Sequence, residues 1–81
     1  MRDPKRIPEI LELLKQLWEK DQDLRFFQMI YNLQYEYSHQ NNNFGKIEIE
    51  EERGFPKLGF DFFNVEDDRL IKLLEEKLSD N

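Results

Sequence analysis

The residue type best suited to acid–base chemistry occurs once in the chain, as His39, directly after Ser38. A serine nucleophile needs a base within hydrogen-bond reach, and a third group orients that base. Neighbours along the chain have poor geometry for this relay, and the only other serine is Ser79, with no threonine present. We therefore interpret His39 as an ordinary residue of a polar turn. We predict no catalytic residue, and we expect that the protein is not an enzyme.

Clustered carboxylates are the next candidates, because their oxygen atoms can hold Ca²⁺ or Mg²⁺. Two clusters occur, Glu50–Glu52 and the acidic run within Asp61–Asp68. The second does not match an EF-hand loop, whose ligands alternate and whose sixth position is glycine. Helix capping explains the acidic residues at its end without a metal. A bound cation stays open as the alternative, and we predict no metal site and no cofactor.

Phosphate-binding signals are weak. The glycines, Gly45, Gly54 and Gly59, are too far apart for a loop that cradles phosphates. Two helices followed by a hairpin are similar to part of a winged helix-turn-helix, but the second helix offers only Arg25 as a basic residue. The hairpin would carry four glutamates, and the net charge of the chain is −6. Phosphates would be repelled, so we predict no nucleic-acid partner.

Aromatic residues make up 14% of the chain and are the remaining candidates. Part of them must form the core, but a domain of 81 residues has a limited interior. Phe62 and Phe63 are neighbours and would face opposite sides of a strand. We predict that some of these rings form a partner surface or a homodimer contact, the commonest oligomer. The candidate surface consists of Tyr35, Phe44, Phe55, Phe60, Phe62 and Phe63.

Three amphipathic helices are predicted to position these residues. Apolar residues recur at i, i+3 and i+4 spacing, which predicts helices over about 8–20, 24–38 and 65–78. The first should start at Pro8, because proline has no N–H to donate to an earlier turn. Asp23 and Asn64 are the expected caps of the second and third helices.

Residues 44–63, between the second and third helices, lose the helical period. Lys46–Glu50 and Lys57–Phe62 alternate as half-buried strands do, and Gly54 and Pro56 lie between them as in a turn. A hairpin packed on the helices is the simplest interpretation, and an ordered irregular loop is the alternative. The predicted fold is mainly α: one small domain over residues 1–81, with a three-helix core and a short β-hairpin or ordered loop between helices 2 and 3.

Trp18 is the predicted anchor of the core. If its ring is buried, Trp18→Ala should cost about 3–5 kcal/mol. The other predicted core residues are Ile10, Leu14, Leu17, Phe27, Ile30, Leu33, Leu70, Leu74 and Leu78.

Two segments resemble parts of a known family. The first is Arg2-Asp3-Pro4-Lys5-Arg6-Ile7-Pro8, followed by a leucine-rich helix ending in Trp18 and then by Asp23-Leu24-Arg25. It resembles the opening of small uncharacterised proteins of bacteria and their phages, where a Pro-Asp-Leu-Arg turn leads into the second helix. Gln22 stands here in place of that proline. The stretch Asp61–Leu70 resembles the family's closing Phe-Tyr-x-Glu-Asp pattern, with Asn64 in place of an aromatic residue.

The resemblance covers about half of the chain and leaves Gln40–Gly59 without a counterpart, as an insertion would be. It implies a bacterial or phage origin and a family of unknown function. It carries over no catalytic residue.

The predicted function is that of a non-enzymatic interaction module whose acidic, phenylalanine-rich surface binds a protein partner or a second copy. Residues 41–81 carry eleven acidic and six basic side chains. The alternative is an acidic decoy that occupies the basic site of a nucleic-acid-binding protein. No apolar run approaches the ~20 residues of a membrane span, and none behind the first residues is typical of a signal peptide. We therefore expect a cytoplasmic protein with no membrane partner.

Overall fold

A computed structural model describes residues 2–50 and 56–79, apart from the side chains of residues 49, 50, 56 and 57. The helices are α1 (Arg6–Glu19), α2 (Phe26–Gln40) and α3 (Asp67–Ser79). The strands β1 (Lys46–Glu50) and β2 (Pro56–Phe60) form an antiparallel pair. The predicted mainly α fold, with a hairpin between the second and third helices, is confirmed. Contacts divide the chain into two compact units, one up to Met29 and from Asn64 onward, the other Ile30–Phe63.

The first helix begins at Arg6, so the predicted start at Pro8 is wrong. Asp3 opens the preceding turn: its Oδ1 accepts the N–H of Lys5 at 2.9 Å, and its carbonyl accepts the N–H of Arg6 at 3.2 Å. Pro8 therefore lies in the first turn of α1, where backbone N–H groups lack partners inside the helix. A proline costs little at that position.

The second helix begins at Phe26, and its cap is not Asp23. The N–H of Arg25 donates to Oε1 of Gln28 at 2.8 Å, which is the reach-back half of a capping box. The carbonyl of Arg25 accepts the N–H of Met29 at 3.0 Å. The chain therefore enters the helix at Arg25, after the break at which we expected the cap.

The third helix begins at Asp67, so Asn64 does not cap it either. The carbonyl of Glu66 accepts the N–H of Arg69 at 3.1 Å and forms the first turn. Asp67 and Asp68 lie in that turn, where the helix dipole favours acidic side chains.

In the first unit, α1 packs on α3. Leu73 and Leu74 of α3 are buried, whereas no residue of α1 is fully buried. The half-buried apolar residues of α1 share one face of the helix: Ile10, Leu13, Leu14 and Leu17.

The core prediction is correct for Leu33 and Leu74, which are buried. It is wrong for Phe27, whose side chain is 81% exposed, and for Trp18, which is 38% exposed. The buried stripe of α2 runs through Met29, Leu33 and Tyr37 at i, i+4 and i+8. At 3.6 residues per turn, Phe27 lies nearly opposite Met29 and faces water.

In the second unit, α2 ends in a left-handed turn. The N–H of Asn43 donates to the carbonyl of Ser38 at 2.8 Å, and φ is +59° at Asn42 and +62° at Asn43. Asparagine tolerates this conformation better than most residues do. Gly45 follows with φ +74°, and the N–H of Asp61 donates to its carbonyl at 2.8 Å.

The hairpin register pairs Lys46 with Phe60, Ile47 with Gly59 and Glu48 with Leu58. Leu58 and Phe60 share a face, as predicted, and Phe60 contacts tyrosine rings of α2. Ile47 lies on the opposite face and is exposed. The predicted turn at Gly54 lies outside the described residues.

Candidate functional site

The apolar face of α1 is wider than a single neighbouring helix needs. At 3.6 residues per turn, it continues around the helix in the order Leu13, Leu17, Ile10, Leu14, Ile7, Trp18 and Leu11. The first four of these side chains are half-buried, whereas Ile7, Trp18 and Leu11 are exposed. Leu11 is 61% exposed. One edge of the apolar face therefore lies open to solvent.

This edge lines an open groove of about 440 Å³, which we call the α1 groove. Its volume falls within the roughly 300–1,000 Å³ of ligand-binding clefts. All of its lining residues belong to the first unit: Leu11, Leu14, Lys15, Trp18, Glu19, Gln22 and Phe26.

Two aromatic rings form one end of the α1 groove. Nε1 of Trp18 donates to the carbonyl of Leu24 at 2.7 Å, which fixes the indole against the break between α1 and α2. The ring of Phe26 lies 5.5 Å from that of Trp18 at an interplanar angle of 48°. The ring centroids of Phe27 and Phe26 are 5.8 Å apart, and the two rings meet edge to face. These rings therefore hold one another in place while remaining accessible.

The lining of the α1 groove carries one basic and one acidic side chain, Lys15 and Glu19, and further charges lie next to it along the chain. Beyond Leu11, the surface of α1 carries Glu12, Lys15 and Glu19, all exposed. Gln22, at the end of the groove, stands between the exposed Asp21 and Asp23. Arg25, beside Phe26, and Lys20, beside Glu19, are also exposed, so the lining is balanced in charge and the exposed residues next to it are only slightly net acidic.

The predicted partner surface is partly internal packing of the second unit. The ring centroid of Phe60 lies 5.6 Å from that of Tyr31 and 5.6 Å from that of Phe62. Phe62 lies 5.2 Å from Tyr37. Phe60 and Phe62 are both half-buried, so these two rings pack within the unit.

The other predicted members of that surface are more accessible. Tyr35 and Phe44 are exposed on one side while contacting Phe60 and Phe62, respectively. Phe63 is 91% exposed. Phe55 lies outside the described residues.

We expected His39 in a polar turn, but it lies in the last turn of α2. Its ring is parallel to that of Tyr35, at 6.5 Å and 6°. Ser38 is 2% exposed, and its hydroxyl makes no hydrogen bond to a described residue, so it is not paired with His39. The adjoining pocket holds only about 20 Å³, the space of a single water.

The acidic run before α3 is used in hydrogen bonds and ion pairs. Asp61 Oδ1 accepts the N–H of Phe63 at 3.1 Å. Arg6 pairs with Asp67 in a partly buried contact. Arg2 donates to both carboxylate oxygens of Glu66 at 3.1 and 3.2 Å, and these bonds raise the pKa of Arg2 above its usual value.

Two further features are lacking in the described part of the chain. Residues 2–50 and 56–79 bring no three histidine or acidic side chains together as metal ligands would be. Within the same residues, every helix is too short or too polar to cross a lipid bilayer.

Sequence reasoning missed the α1 groove, although the signal was present. Ile7 and Leu11 lie outside the predicted core list, and both continue the apolar face beyond the half-buried stripe. A stripe this broad indicates contact on two sides of a helix.

Comparison with known proteins gives one match. A family model described as "Protein of unknown function (DUF1040)" matches residues 2–50, more than half of the chain. The match includes every residue of the α1 groove and the first part of the stretch that we expected to be an insertion. It does not reach the Asp61–Leu70 pattern. No curated protein matches the chain, and no solved structure matches it.

Proposed function

The chain belongs to the DUF1040 family, whose function is unknown, and we propose that it is a non-enzymatic protein-interaction module. The α1 groove is the surface that carries this proposal. Single exposed apolar residues are normal on proteins, but contiguous apolar patches with a polar rim are typical of interaction sites. Here Leu11, Trp18 and Phe26 form such a patch, and Glu19 lies at its rim.

The absence of an enzymatic role is part of the proposal. A catalytic site needs a nucleophile or base held by other groups inside a cleft that excludes water. Ser38 borders a pocket with the volume of one water, and its hydroxyl does not bond to His39. The α1 groove is larger, but its only ionisable side chains are Lys15 and Glu19, both exposed. These observations support binding over chemistry.

The phenylalanine-rich surface is a second candidate contact. Phe44 and Phe63 are exposed, and a partner or a second copy could cover them. We rank this surface below the α1 groove, because its half-buried rings already pack within the second unit.

The alternative function is the acidic decoy. The net charge of −6 supports it, because a basic nucleic-acid-binding site would attract this chain. A decoy should bind its target mainly through charge, so raising the salt concentration should abolish binding. A module that uses the α1 groove should lose much less affinity. We further propose a bacterial or phage origin and a cytoplasmic location, both supported only by the likeness of the opening segment to such proteins.

A matched pair of variants tests the proposal. Leu11→Ser removes an exposed apolar side chain from the α1 groove, and Phe63→Ser removes one outside it. A partner captured from host lysate is purified, and its affinity is measured for the wild type and both variants. We expect Leu11→Ser to weaken binding by about tenfold or more, as at an interface hot spot. Phe63→Ser should leave the affinity unchanged.

Two results would contradict the proposed surface. Equal affinity of Leu11→Ser and the wild type would remove the α1 groove as the contact. Loss of binding in Phe63→Ser alone would move the contact to the phenylalanine-rich surface. Far-ultraviolet circular dichroism of each variant establishes that it is folded.

A further inference from the structure

We infer that the occupant of the α1 groove is a short amphipathic helix of another protein, with an apolar stripe bordered by lysine or arginine. The inference rests on the proposed function and deepens it by naming the chemistry of the partner. It follows from the length, the openness and the charge of the groove.

The length of the α1 groove matches about two turns of helix. Its lining residues on α1 run from Leu11 to Glu19. At 1.5 Å per residue, eight steps span about 12 Å, or a little over two turns. Helices that dock in grooves insert side chains at i, i+3 or i+4, and i+7, which cover a similar length. One short helix is therefore enough to fill the groove.

The openness of the α1 groove favours a helix over a small molecule. Sites for small ligands bury most of the ligand surface in a concave pocket. Here Leu11 and Trp18 stand at an accessible edge of α1, and Phe26 is also exposed. A helix laid along this edge would cover the apolar surface while its own polar side stays in water.

The charges beside the groove favour a basic partner. The lining itself holds one acidic and one basic side chain, Glu19 and Lys15. The exposed residues next to it along the chain are net acidic: Glu12, Asp21 and Asp23 against Lys20 and Arg25. Basic side chains bordering an apolar stripe would meet these carboxylates. The exposed part of the Trp18 ring offers a second attraction, because a cation binds favourably over an indole face.

A second copy of the chain fits less well. An isologous contact would bring the same surface of both chains together, and the exposed residues beside the groove are net acidic. Each chain also carries a net charge of −6, which disfavours self-association at low salt. The observations therefore favour a different protein over a homodimer on this face.

The test uses synthetic peptides and the intrinsic fluorescence of Trp18, the single tryptophan of the chain. The probe is a peptide of about 14 residues, long enough for nearly four turns, with leucines at i, i+3, i+4 and i+7 spacing and lysines elsewhere. One control keeps the composition and scrambles the stripe. Another control replaces the lysines by glutamates. The proteins titrated are the wild type, Leu11→Ser, Glu19→Lys and, as the matched control, Ile47→Ser, which removes an exposed apolar side chain outside both candidate surfaces.

We expect the lysine peptide to bind the wild type, shift the Trp18 emission to shorter wavelength and shield it from acrylamide. Both control peptides should bind the wild type at least about tenfold more weakly than the lysine peptide does. Leu11→Ser should weaken binding of the lysine peptide by about tenfold, whereas Ile47→Ser should leave it unchanged. Glu19→Lys reverses an exposed charge. It should weaken binding of the lysine peptide and strengthen binding of the glutamate peptide.

The contrary outcomes separate the inference from the proposed function. If the glutamate peptide binds as tightly as the lysine peptide and Leu11→Ser weakens both, the inferred charge is wrong and the groove remains an interaction surface. If the scrambled peptide binds equally well and Leu11→Ser has no effect, both ideas fail.

Self-association is tested in parallel by light scattering. A dimer that Leu11→Ser dissociates would overturn the inference in favour of a second copy, while leaving the groove as the contact. A monomer that binds none of the peptides would also overturn the inference.

Discussion

Gly45 is a position where one added methyl group should destabilise the second unit. A Cβ built at this residue would lie 2.5 and 2.7 Å from ring atoms of Phe62 and 2.7 Å from the carbonyl oxygen of Asp61. Its φ of +74° is in the left-handed region, which side chains with a Cβ rarely adopt. Gly45→Ala therefore combines a backbone penalty with a steric clash.

Both contributions can be estimated. The left-handed conformation costs alanine about 1–2 kcal/mol. Asp61 cannot easily withdraw its carbonyl, because its own N–H donates to the carbonyl of Gly45 at 2.8 Å. The ring of Phe62 is held by Tyr37 and Phe44. Overpacking of this kind costs about 1–3 kcal/mol, so we expect a total loss of about 2–5 kcal/mol.

Urea unfolding followed by circular dichroism measures this loss as a shift of the midpoint at a constant slope. The matched control is Asn42→Gly, which changes another left-handed residue (φ +59°) and should leave stability the same or slightly higher. A loss below about 1 kcal/mol in Gly45→Ala would refute the reasoning, because the backbone term alone should reach that size.

Three further experiments test the packing of the first unit and the start of α2. Double-mutant cycles on Arg6 and Asp67 should give a coupling of about 1 kcal/mol, between exposed and buried pairs; strictly additive single effects would contradict the pairing. Gln28→Ala removes the acceptor at the start of α2 and should cost about 0.5–1 kcal/mol in urea melts. Phe27→Ala should change stability by less than about 0.5 kcal/mol, whereas Leu74→Ala should cost about 2–5 kcal/mol. Similar losses for these two would show that the assigned burial is wrong.

The periodicity of apolar residues was sufficient to predict the helices and strands, but it did not predict the residues at which they begin. The helical repeat through Ile10, Leu14 and Leu17 predicts α1 correctly, and the alternation of Lys46–Glu50 predicts β1. Helix starts depend on individual hydrogen bonds. Asp23 has the right residue type for a cap, but Gln28 reaches back to the N–H of Arg25 instead.

Burial was harder to predict than helicity, for a geometric reason. The broad apolar stripe of α2 includes both Phe27 and Met29, and sequence alone does not show which side faces other elements. Met29 is buried and Phe27 is exposed. Trp18 is similar: its size suggested a core anchor, yet it lies at the edge of the α1 face that helix packing leaves open.

The presence of an exposed hydrophobic surface could be predicted from the sequence, but its position could not. An excess of aromatic residues in a small acidic chain correctly indicates exposed hydrophobic surface. Its position on α1 depends on where α3 packs, which is a tertiary property. We expected Phe60 and Phe62 at a surface because phenylalanines are frequent in residues 44–63, but both side chains are half-buried.

Accessibility of Trp18 is the most direct test of the α1 groove as a docking surface. In the free monomeric chain, acrylamide should quench this single tryptophan readily, and its emission should lie near that of a partly hydrated indole. Saturation with the lysine peptide should shield it and shift the emission to shorter wavelength. A Trp18 already shielded in the free monomer, or one unaffected by saturating peptide, would contradict the assignment of the groove as the binding site.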